Sequence, residues 1–235
     1  MEWIWTFLIV VMSAAVQTGT GFGFAIMAIP LLLLVNPDHS AVSTALALSL
    51  LSSLSTLPKV VRDADRRMLG RLLTGSAFGL PLGGLVFFLL DVEGLKAAAG
   101  VAILAFAVPL LIRMRLPLGG GRGAGLLSGF LGASVGMPGP PVVLYMLSAD
   151  VGKNVFRGTS IAYYSAVNAV SLTIQLSSGR VVPAELVQAA FLVPAIFAGQ
   201  YIGAAAARRL SPVWFRRATM LLLVASGVQA LLTGL

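Results

Sequence analysis

The two halves of this sequence repeat one another, and that repetition limits the folds open to the chain more than any other feature. Gly21 in the segment TGTGFGF corresponds to Gly136 in ASVGMPGP, which lies 115 positions further along the chain. After a small insertion the shift becomes 120 positions, so that Gly79 corresponds to Gly199. Internal repeats that a basic linker joins within an apolar chain are the usual construction of a secondary transporter.

The composition places the whole chain in a membrane. Hydrophobic residues make up 58% of the chain and charged residues only 10%, proportions far from those of a soluble domain. The net charge of +8 is carried by short loops between apolar segments, which indicates membrane topology, and no nucleic-acid partner is expected. The N-terminal segment MEWIWTFLIVV lacks the positive start of a cleaved signal peptide and is interpreted as the first membrane helix, in contact with lipid.

The apolar segments predict an all-α polytopic membrane protein with two repeats of five segments each. The repeats cover residues 1–113 and 124–235, and residues 114–123 link them. The first two segments of each repeat are shorter than the ~20 residues that a crossing helix needs, so each such pair is expected to form a hairpin around a Gly-rich turn. The ten segments are Trp3–Thr18, Phe24–Val35, Ala41–Leu57, Leu69–Leu90, Leu95–Ile112, Ala124–Val135, Pro140–Leu147, Gly158–Leu176, Leu186–Ala207 and Trp214–Leu232.

The basic residues predict the direction of each segment. Fourteen of the sixteen Lys and Arg residues lie in four loops, within 59–71, 113–122, 153–157 and 208–217. A single alternation of crossings places all four loops in the cytoplasm of an inner-membrane protein and both termini in the periplasm. Each repeat then crosses the membrane an odd number of times, so the two repeats have inverted topology.

The two Gly-rich turns are the first candidate for a substrate site. Each turn opens a helix, where unpaired N–H groups and the positive end of the helix dipole attract anions. Two such helix starts that face each other near the middle of the membrane would bind a small anion. The alternative is that these glycines only allow close helix packing. The candidate residues are Thr20, Gly21 and Gly23 in the first turn and Gly136 and Gly139 in the second.

Polar residues on the third segment of each repeat are the second candidate. Their spacing of three or four positions places them on one helix face. Such a face meets either a wet cavity or a neighbouring helix, and both interpretations are open. The stripe is neutral and rich in donors, which suits an anion whose charge is balanced by helix dipoles. The candidates are Ser49 and Ser53 in the first repeat and Ser160, Tyr164 and Asn168 in the second.

Several kinds of chemistry have no supporting motif in the sequence. The chain has no cysteine and no spacing typical of a metal site, a phosphate-binding loop or a catalytic nucleophile, so no enzyme activity, cofactor or metal is predicted. No Asp or Glu lies deep in a long apolar segment, so a buried carboxylate relay for protons is not indicated either.

The doubled pattern resembles the TauE/SafE sulfite exporter family. In the first repeat the resemblance is carried by GTGFGFAIMAIPLLLL followed by SAVSTALALSLLSSLS, and in the second by VGMPGPPVVLYMLSADVGKNVFRGTSIAYYSAVNAV. Thr159, Ser160 and Asn168 stand at positions that this family shows, and the likeness covers essentially all 235 residues. The resemblance implies a permease, usually an exporter, for sulfite, for sulfonates such as sulfoacetate and for related sulfur compounds.

These observations lead to one hypothesis and two alternatives. The hypothesis is an exporter of a small sulfur-containing anion that works by alternating access around the two helix starts. The first alternative is a membrane subunit that binds a partner protein through its cytoplasmic arginine loops and transports nothing. The second is a passive anion channel.

Overall fold

The structure is a computed structural model that describes residues 2–36, 38–111, 119–179, 181, 187 and 189–209. These residues form helices joined by short turns, and none of them lies in a β-strand. The predicted tenth segment, Arg180 and residues 114–118 of the predicted linker fall outside the described residues. The helices are α1 (Glu2–Thr20), α2 (Phe24–Val35), α3 (His39–Val60), α4 (Arg66–Leu89), α5 (Val92–Leu111), α6 (Gly120–Val135), α7 (Gly139–Ser148), α8 (Lys153–Leu176) and α9 (Val193–Arg209), with a 3₁₀ turn at Val61–Asp63.

Helix boundaries repeat with the sequence. α1 ends at Thr20 and α6 at Val135, which are 115 positions apart. α2 begins at Phe24 and α7 at Gly139, with the same separation. The all-helical class predicted from the apolar segments is confirmed, and the helices break at equivalent positions in the two halves.

A glycine in the left-handed region of φ ends the first helix of each half. Gly21 has a φ of 86° and Gly136 a φ of 74°. Positive φ angles carry little steric strain in glycine, which has no Cβ atom, and they are common just after the last helical residue. The Gly21 N–H donates to Gln17 O at 2.7 Å and so satisfies one of the free carbonyls at the end of α1. The chain therefore leaves the helical path at both positions.

The first helix is longer than the sequence predicts. The predicted segment, Trp3–Thr18, is short, whereas α1 has 19 residues and extends about 28 Å at 1.5 Å per residue. Three described helical stretches are long and apolar enough to cross a membrane. They are residues 3–20 of α1, residues 39–63 and residues 66–89. The helix continues because nothing interrupts it before Gly21. By contrast, α2 and α7 have 12 and 10 residues and are short, as predicted.

α3 and α8 pack as an antiparallel pair. Ser43 Oγ donates to Gln175 Oε1 at 2.8 Å, and Asn168 Nδ2 donates to Ser49 Oγ at 3.0 Å. A residue later in α3 thus pairs with a residue earlier in α8, so the two helices run in opposite directions. Part of the predicted polar stripe therefore serves to join helices.

Two pairs of helices cross with their backbones in direct contact. A Cβ atom on Gly79 of α4 would overlap the carbonyl oxygen of Leu126 in α6, and one on Gly199 of α9 would overlap that of Val11 in α1. These two contacts are related by the same shifts of 120 and 115 positions that relate the sequences. The fourth helix of each half thus packs on the first helix of the other half. We call the α4–α6 and α1–α9 contacts the glycine seams; Gly83 with Phe130 and Gly203 with Ala15 extend them.

Basic residues gather at one end of the helices. Gly158, near the start of α8, packs against Asp63, and Gly121, near the start of α6, packs against Arg71. The loop between α3 and α4 therefore shares one end of the molecule with the starts of α6 and α8. The start of α3 contacts the end of α4 at the opposite end. This is the grouping that the charge pattern predicts for the cytoplasmic side; most of the fourth basic loop, 208–217, lies outside the described residues.

Large apolar side chains cover the outer surface of the helices. Trp5, Phe78, Phe191 and Tyr201 are all more than half exposed. Such a surface is stable against lipid and would be unfavourable in water.

Candidate substrate-binding site

A small cavity lies where α2 and α7 begin, and we call it the helix-start cavity. It is lined by residues of α1, α2, α3, α7 and α8 and of the turns before α2 and α7. Its volume of about 20 Å³ is enough for a single water molecule. The lining residues are Gln17, Gly23, Phe24, Ala25, Ile26, Ser49, Pro138, Gly139, Tyr164 and Asn168.

α2 brings three free amides to the cavity. Phe24, Ala25 and Ile26 all line it and occupy the first three positions of the helix, where N–H groups have no acceptor within the helix. Met27 N–H is the first to find one, Gly23 O at 3.2 Å. Together with the positive end of the helix dipole, these amides make the start of α2 attractive to an anion.

α7 brings fewer donors to the same cavity. Gly139 is its first residue, and the next two residues, Pro140 and Pro141, have no N–H group. Proline is well tolerated there because the first-turn N–H groups lack helical acceptors anyway. Ser128 Oγ donates to Pro138 O and holds the turn before the helix. The α7 start therefore contributes its dipole and one amide from these three positions.

Asn168 presents a polar group of α8 to the cavity. Its side chain is 1% exposed, Nδ2 donates to Ser49 Oγ, and Oδ1 has no hydrogen-bond partner within the described part of the chain. Rotation of the amide by 180° would let Ser49 donate to Oδ1 and turn the NH₂ group toward the cavity. In both arrangements one half of the amide is available to a molecule in the cavity.

Tyr164 adds a hydroxyl group one helical turn before Asn168. The side chain is 4% exposed, and its hydroxyl lies 3.5 Å from Gly139 O. That separation is long for an O–H···O hydrogen bond. The hydroxyl is therefore weakly held and can turn toward a ligand.

Gln17 is a cavity residue that the sequence analysis missed. Its Nε2 donates to Ser53 Oγ at 3.1 Å, and its Oε1 accepts from Ser52 Oγ at 2.5 Å. Gln200 of α9 joins the same polar cluster by donating to Ser55 Oγ at 2.8 Å. A lone Gln inside an apolar helix faces a protein partner or a cavity, and that rule would have found both glutamines.

The cavity brings together about half of the predicted site residues. Ser53 lies directly behind it, bound to Gln17. The substrate role of these residues stays a prediction. Those that line the cavity are Gly23, Ser49, Gly139, Tyr164 and Asn168.

The predicted hydroxyl residues at helix ends have other partners. Thr20 Oγ1 lies 2.8 Å from Val16 O in the preceding turn of α1. Thr159 Oγ1 accepts from the Asp65 N–H at 2.9 Å, and Ser160 Oγ donates to a carbonyl of its own helix. None of the three lines the helix-start cavity. In this conformation Thr20 and Ser160 bind the backbone of their own helices, and Thr159 binds the backbone at the start of α4.

The sequence suggested that the two Gly-rich turns face each other, but Gly21 and Gly136 themselves do not meet across the cavity. Gly21 lies against Phe156 and Arg157 in the first turn of α8, whereas Gly136 packs against Val42 in the first turn of α3. Because α3 and α8 are antiparallel, these contacts lie toward opposite ends of the molecule. The helix starts that follow the two glycines meet in the middle instead, since the chain turns back toward the centre after each break.

The polar groups around the cavity are all uncharged. The groups that can donate to an oxyanion are the backbone amides, the hydroxyls of Tyr164 and Ser49, and the carboxamides of Gln17 and Asn168. The helix dipoles supply the electrostatic attraction. Among the described residues no group of three or more His, Cys, Asp or Glu side chains is placed to hold a metal ion. The arrangement suits reversible binding of a small anion.

The described helices and the cavity indicate a class of protein, a multi-pass helical membrane protein with a polar cavity between broken helices. Residues 6–230 match the family model described as Sulfite exporter TauE/SafE. The chain belongs to this family, as its sequence pattern predicted, and membership implies a membrane transporter of the sulfite-exporter type. No curated protein and no solved structure matches the chain.

Proposed function

We propose that this protein is a secondary transporter that exports a small sulfur-containing anion, such as sulfite or an organosulfonate. The family match over residues 6–230 carries the proposal. The helix-start cavity supports it, because three amides of α2, the Asn168 amide and the Tyr164 hydroxyl can bind an oxyanion without a buried counter-charge. An anion held by dipoles alone is bound weakly enough to be released on the other side.

The proposed mechanism is alternating access between two inverted repeats, residues 1–113 and 124–235. The matched helix boundaries, the two glycine seams and the antiparallel α3–α8 pair support this relation between the halves. The cavity of about 20 Å³ has room for one water molecule, whereas sulfite has a sulfur and three oxygens. Substrate entry therefore requires the halves to separate on one side, and rocking of one repeat against the other produces that opening.

Flux measurements on reconstituted protein test the proposal. Liposomes that contain the full chain are expected to take up radiolabelled sulfite with saturation and with counterflow against unlabelled sulfite. Asn168→Ala should reduce this flux, and Thr173→Ala is the matched control because Thr173 lies exposed on the same helix. Flux no higher than in empty liposomes for all the sulfur anions tested would favour a non-transporting subunit. Flux without saturation or counterflow would favour a channel.

Cysteine labelling tests the proposed orientation. The chain has no cysteine, so Arg62→Cys and Glu93→Cys each introduce a single thiol at an exposed position. An impermeant thiol reagent added to intact cells should label the cysteine at position 93 and spare the one at position 62. The opposite pattern would reverse the proposed topology, in which the basic end is cytoplasmic and both termini are periplasmic.

A further inference from the structure

A groove runs along the outer face of the α4–α6 pair, beside one of the glycine seams. Its volume is about 390 Å³, far larger than that of the helix-start cavity. Gly75 and Gly123 have no side chains, so the groove reaches down to the backbones of both helices. Its lining residues are Thr74, Gly75, Phe78, Arg122, Gly123 and Leu126.

The groove is polar at one end and apolar at the other. α4 and α6 both begin at the basic end of the molecule, and Arg122 and Thr74 lie nearest to those starts. Phe78 and Leu126 follow one turn further along each helix and are 72% and 39% exposed. Arg71, an exposed residue of α4 close to Gly121, adds a second positive charge near the polar end. This order of charge followed by apolar surface is that of a phospholipid in a membrane leaflet.

We propose that this groove binds an anionic phospholipid, with the lipid phosphate at Arg122 and an acyl chain between Phe78 and Leu126. No Asp or Glu lines the groove, so nothing there repels a phosphate. An arginine can contact phosphate with two N–H groups at once. Basic pockets between membrane helices on the cytoplasmic side are a known setting for anionic headgroups.

The α1–α9 seam shows that close packing of two helices does not require an arginine beside the crossing. The repeat shift of 115 places Phe7 and Leu8 of α1 at the positions of Arg122 and Gly123. The shift of 120 places Pro194 at the position of Thr74. The α1–α9 seam therefore repeats the contacts of Gly79 and Gly83, at Gly199 and Gly203, without a cation at the position equivalent to Arg122. A glycine seam can therefore form without a cation at this position, and the place of Arg122 in the groove points to a ligand.

Lipid retention by the full chain tests the proposal. The protein is purified from membranes that contain equal amounts of phosphatidylglycerol and phosphatidylcholine, and the bound lipid is counted by native mass spectrometry. We expect the wild type to retain phosphatidylglycerol preferentially and Arg122→Gln to bind it about fivefold more weakly, the factor that ~1 kcal/mol per surface arginine represents. Arg122→Lys should restore most of the preference. Arg62→Gln, at an exposed arginine of the same end outside the groove, should leave it unchanged.

Three outcomes would overturn the proposal. The first is a wild type that retains the two lipids equally. The second is an equal loss in Arg62→Gln and Arg122→Gln, since the attraction would then come from the whole basic end. The third is displacement of the lipid signal by millimolar inorganic phosphate, which would identify a site for a free anion. Phe78→Ala, which removes an exposed wall and keeps the charge, should also weaken retention; unaltered retention in this variant would contradict the acyl-chain contact.

Discussion

The two helix starts around the cavity occupy equivalent positions of the repeat, yet they present different chemistry. Ala25 of α2 corresponds to Pro140 of α7, and Ile26 corresponds to Pro141. α2 therefore offers three free amides over its first three positions, and α7 offers one. The glycine seams, by contrast, share two matched contacts, those of Gly79 and Gly83 in one half and those of Gly199 and Gly203 in the other. Packing thus constrains the two halves alike at these positions, whereas the contacts available to an anion lie mainly in one half.

This difference gives the proposed anion an orientation in the cavity. Its most negative oxygens are expected to face the amides of α2, since each N–H···O⁻ hydrogen bond adds to the dipole attraction. The rest of the ligand would then face the Pro138–Pro141 turn and Tyr164. Four predictions test this comparison between the halves, beginning with the one that should have the largest effect.

The first prediction concerns the glycine seams, where the halves are expected to behave alike. Gly79→Val and Gly199→Val should each prevent accumulation of folded protein, because the new Cβ atom would overlap a backbone oxygen of the facing helix. Overpacking costs about 1–3 kcal/mol where side chains can shift, and a backbone clash should cost more. Fluorescence-detected gel filtration of the two variants measures the effect. Gly70→Val is the control, since Gly70 of α4 has open space around it. A well-folded Gly199→Val protein would show that the two seams are not equivalent.

The second prediction concerns a substitution that makes the start of α2 resemble the start of α7 in its number of free N–H groups. Ala25→Pro removes an amide from α2 and should weaken sulfite affinity by tenfold to a hundredfold, since a hydrogen bond to a charged group contributes about 1.5–3 kcal/mol. The fold should survive because proline is tolerated in the first turn. Titration calorimetry in detergent measures the affinity, and Ala25→Val controls for bulk.

The reciprocal change, Pro140→Ala, adds an amide to α7 and should leave affinity equal or higher. Lower affinity after this change would show that Pro140 contributes to binding by a route other than its missing N–H. Equal affinities for Ala25→Pro and Ala25→Val would remove the amides of α2 from the site.

The third prediction separates binding from packing at Asn168. Asn168→Ala should weaken sulfite affinity about tenfold, near the lower end of the range for a donor to a charged ligand. If Asn168 only joins α8 to Ser49 of α3, affinity would stay constant and stability would fall by about 0.6 kcal/mol, the average for a hydrogen bond between membrane helices. Calorimetry and thermal unfolding of the same sample distinguish the two results.

The fourth prediction concerns the smallest effect. Tyr164→Phe deletes one hydroxyl and keeps the ring, and the hydroxyl makes only a long contact with Gly139 O. Affinity should fall about two- to fivefold, which corresponds to about 0.5–1 kcal/mol for a neutral hydrogen bond. Thermal stability should stay within error, because little is lost in the unliganded protein. A marked drop in melting temperature with unchanged affinity would identify the hydroxyl as a structural group.

The sequence predicts the helices better than it predicts the cavity. Phe24–Val35 has the same bounds in the sequence prediction and in the structure, because an apolar run between a glycine turn and Asn36 defines both ends. The sequence does not show the partner of Thr159, because that partner is the backbone N–H of Asp65, 94 positions away. No local pattern shows such a contact. A repeat alignment relates Gly21 to Gly136 but cannot give their distance, which depends on how α3 and α8 pair.

The cavity residues themselves divide in the same way. Asn168 and Tyr164 were found because an i, i+4 stripe on a helix has a regular spacing. Gln17 stands alone in α1 and belongs to no stripe. Its isolation in an apolar helix indicates a protein partner or a cavity, and its contacts with Ser52 and Ser53 identify which groups it meets. Periodicity therefore identified the part of the site that lies along one helix, whereas the part that converges from several helices required the tertiary structure.

The crossed arrangement of the glycine seams also sets an order for biosynthesis. The α4–α6 seam can close once about 135 residues have been made, soon after α4 itself has been inserted. The α1–α9 seam needs Gly203 to reach Ala15, almost 190 residues later, which at 5–20 residues per second is about 10–40 s of translation. During that interval the nascent α1 must wait in the membrane with its small-residue face covered by lipid or by the insertion machinery. A ribosome that stalls before α9 would leave the first helix made without its partner.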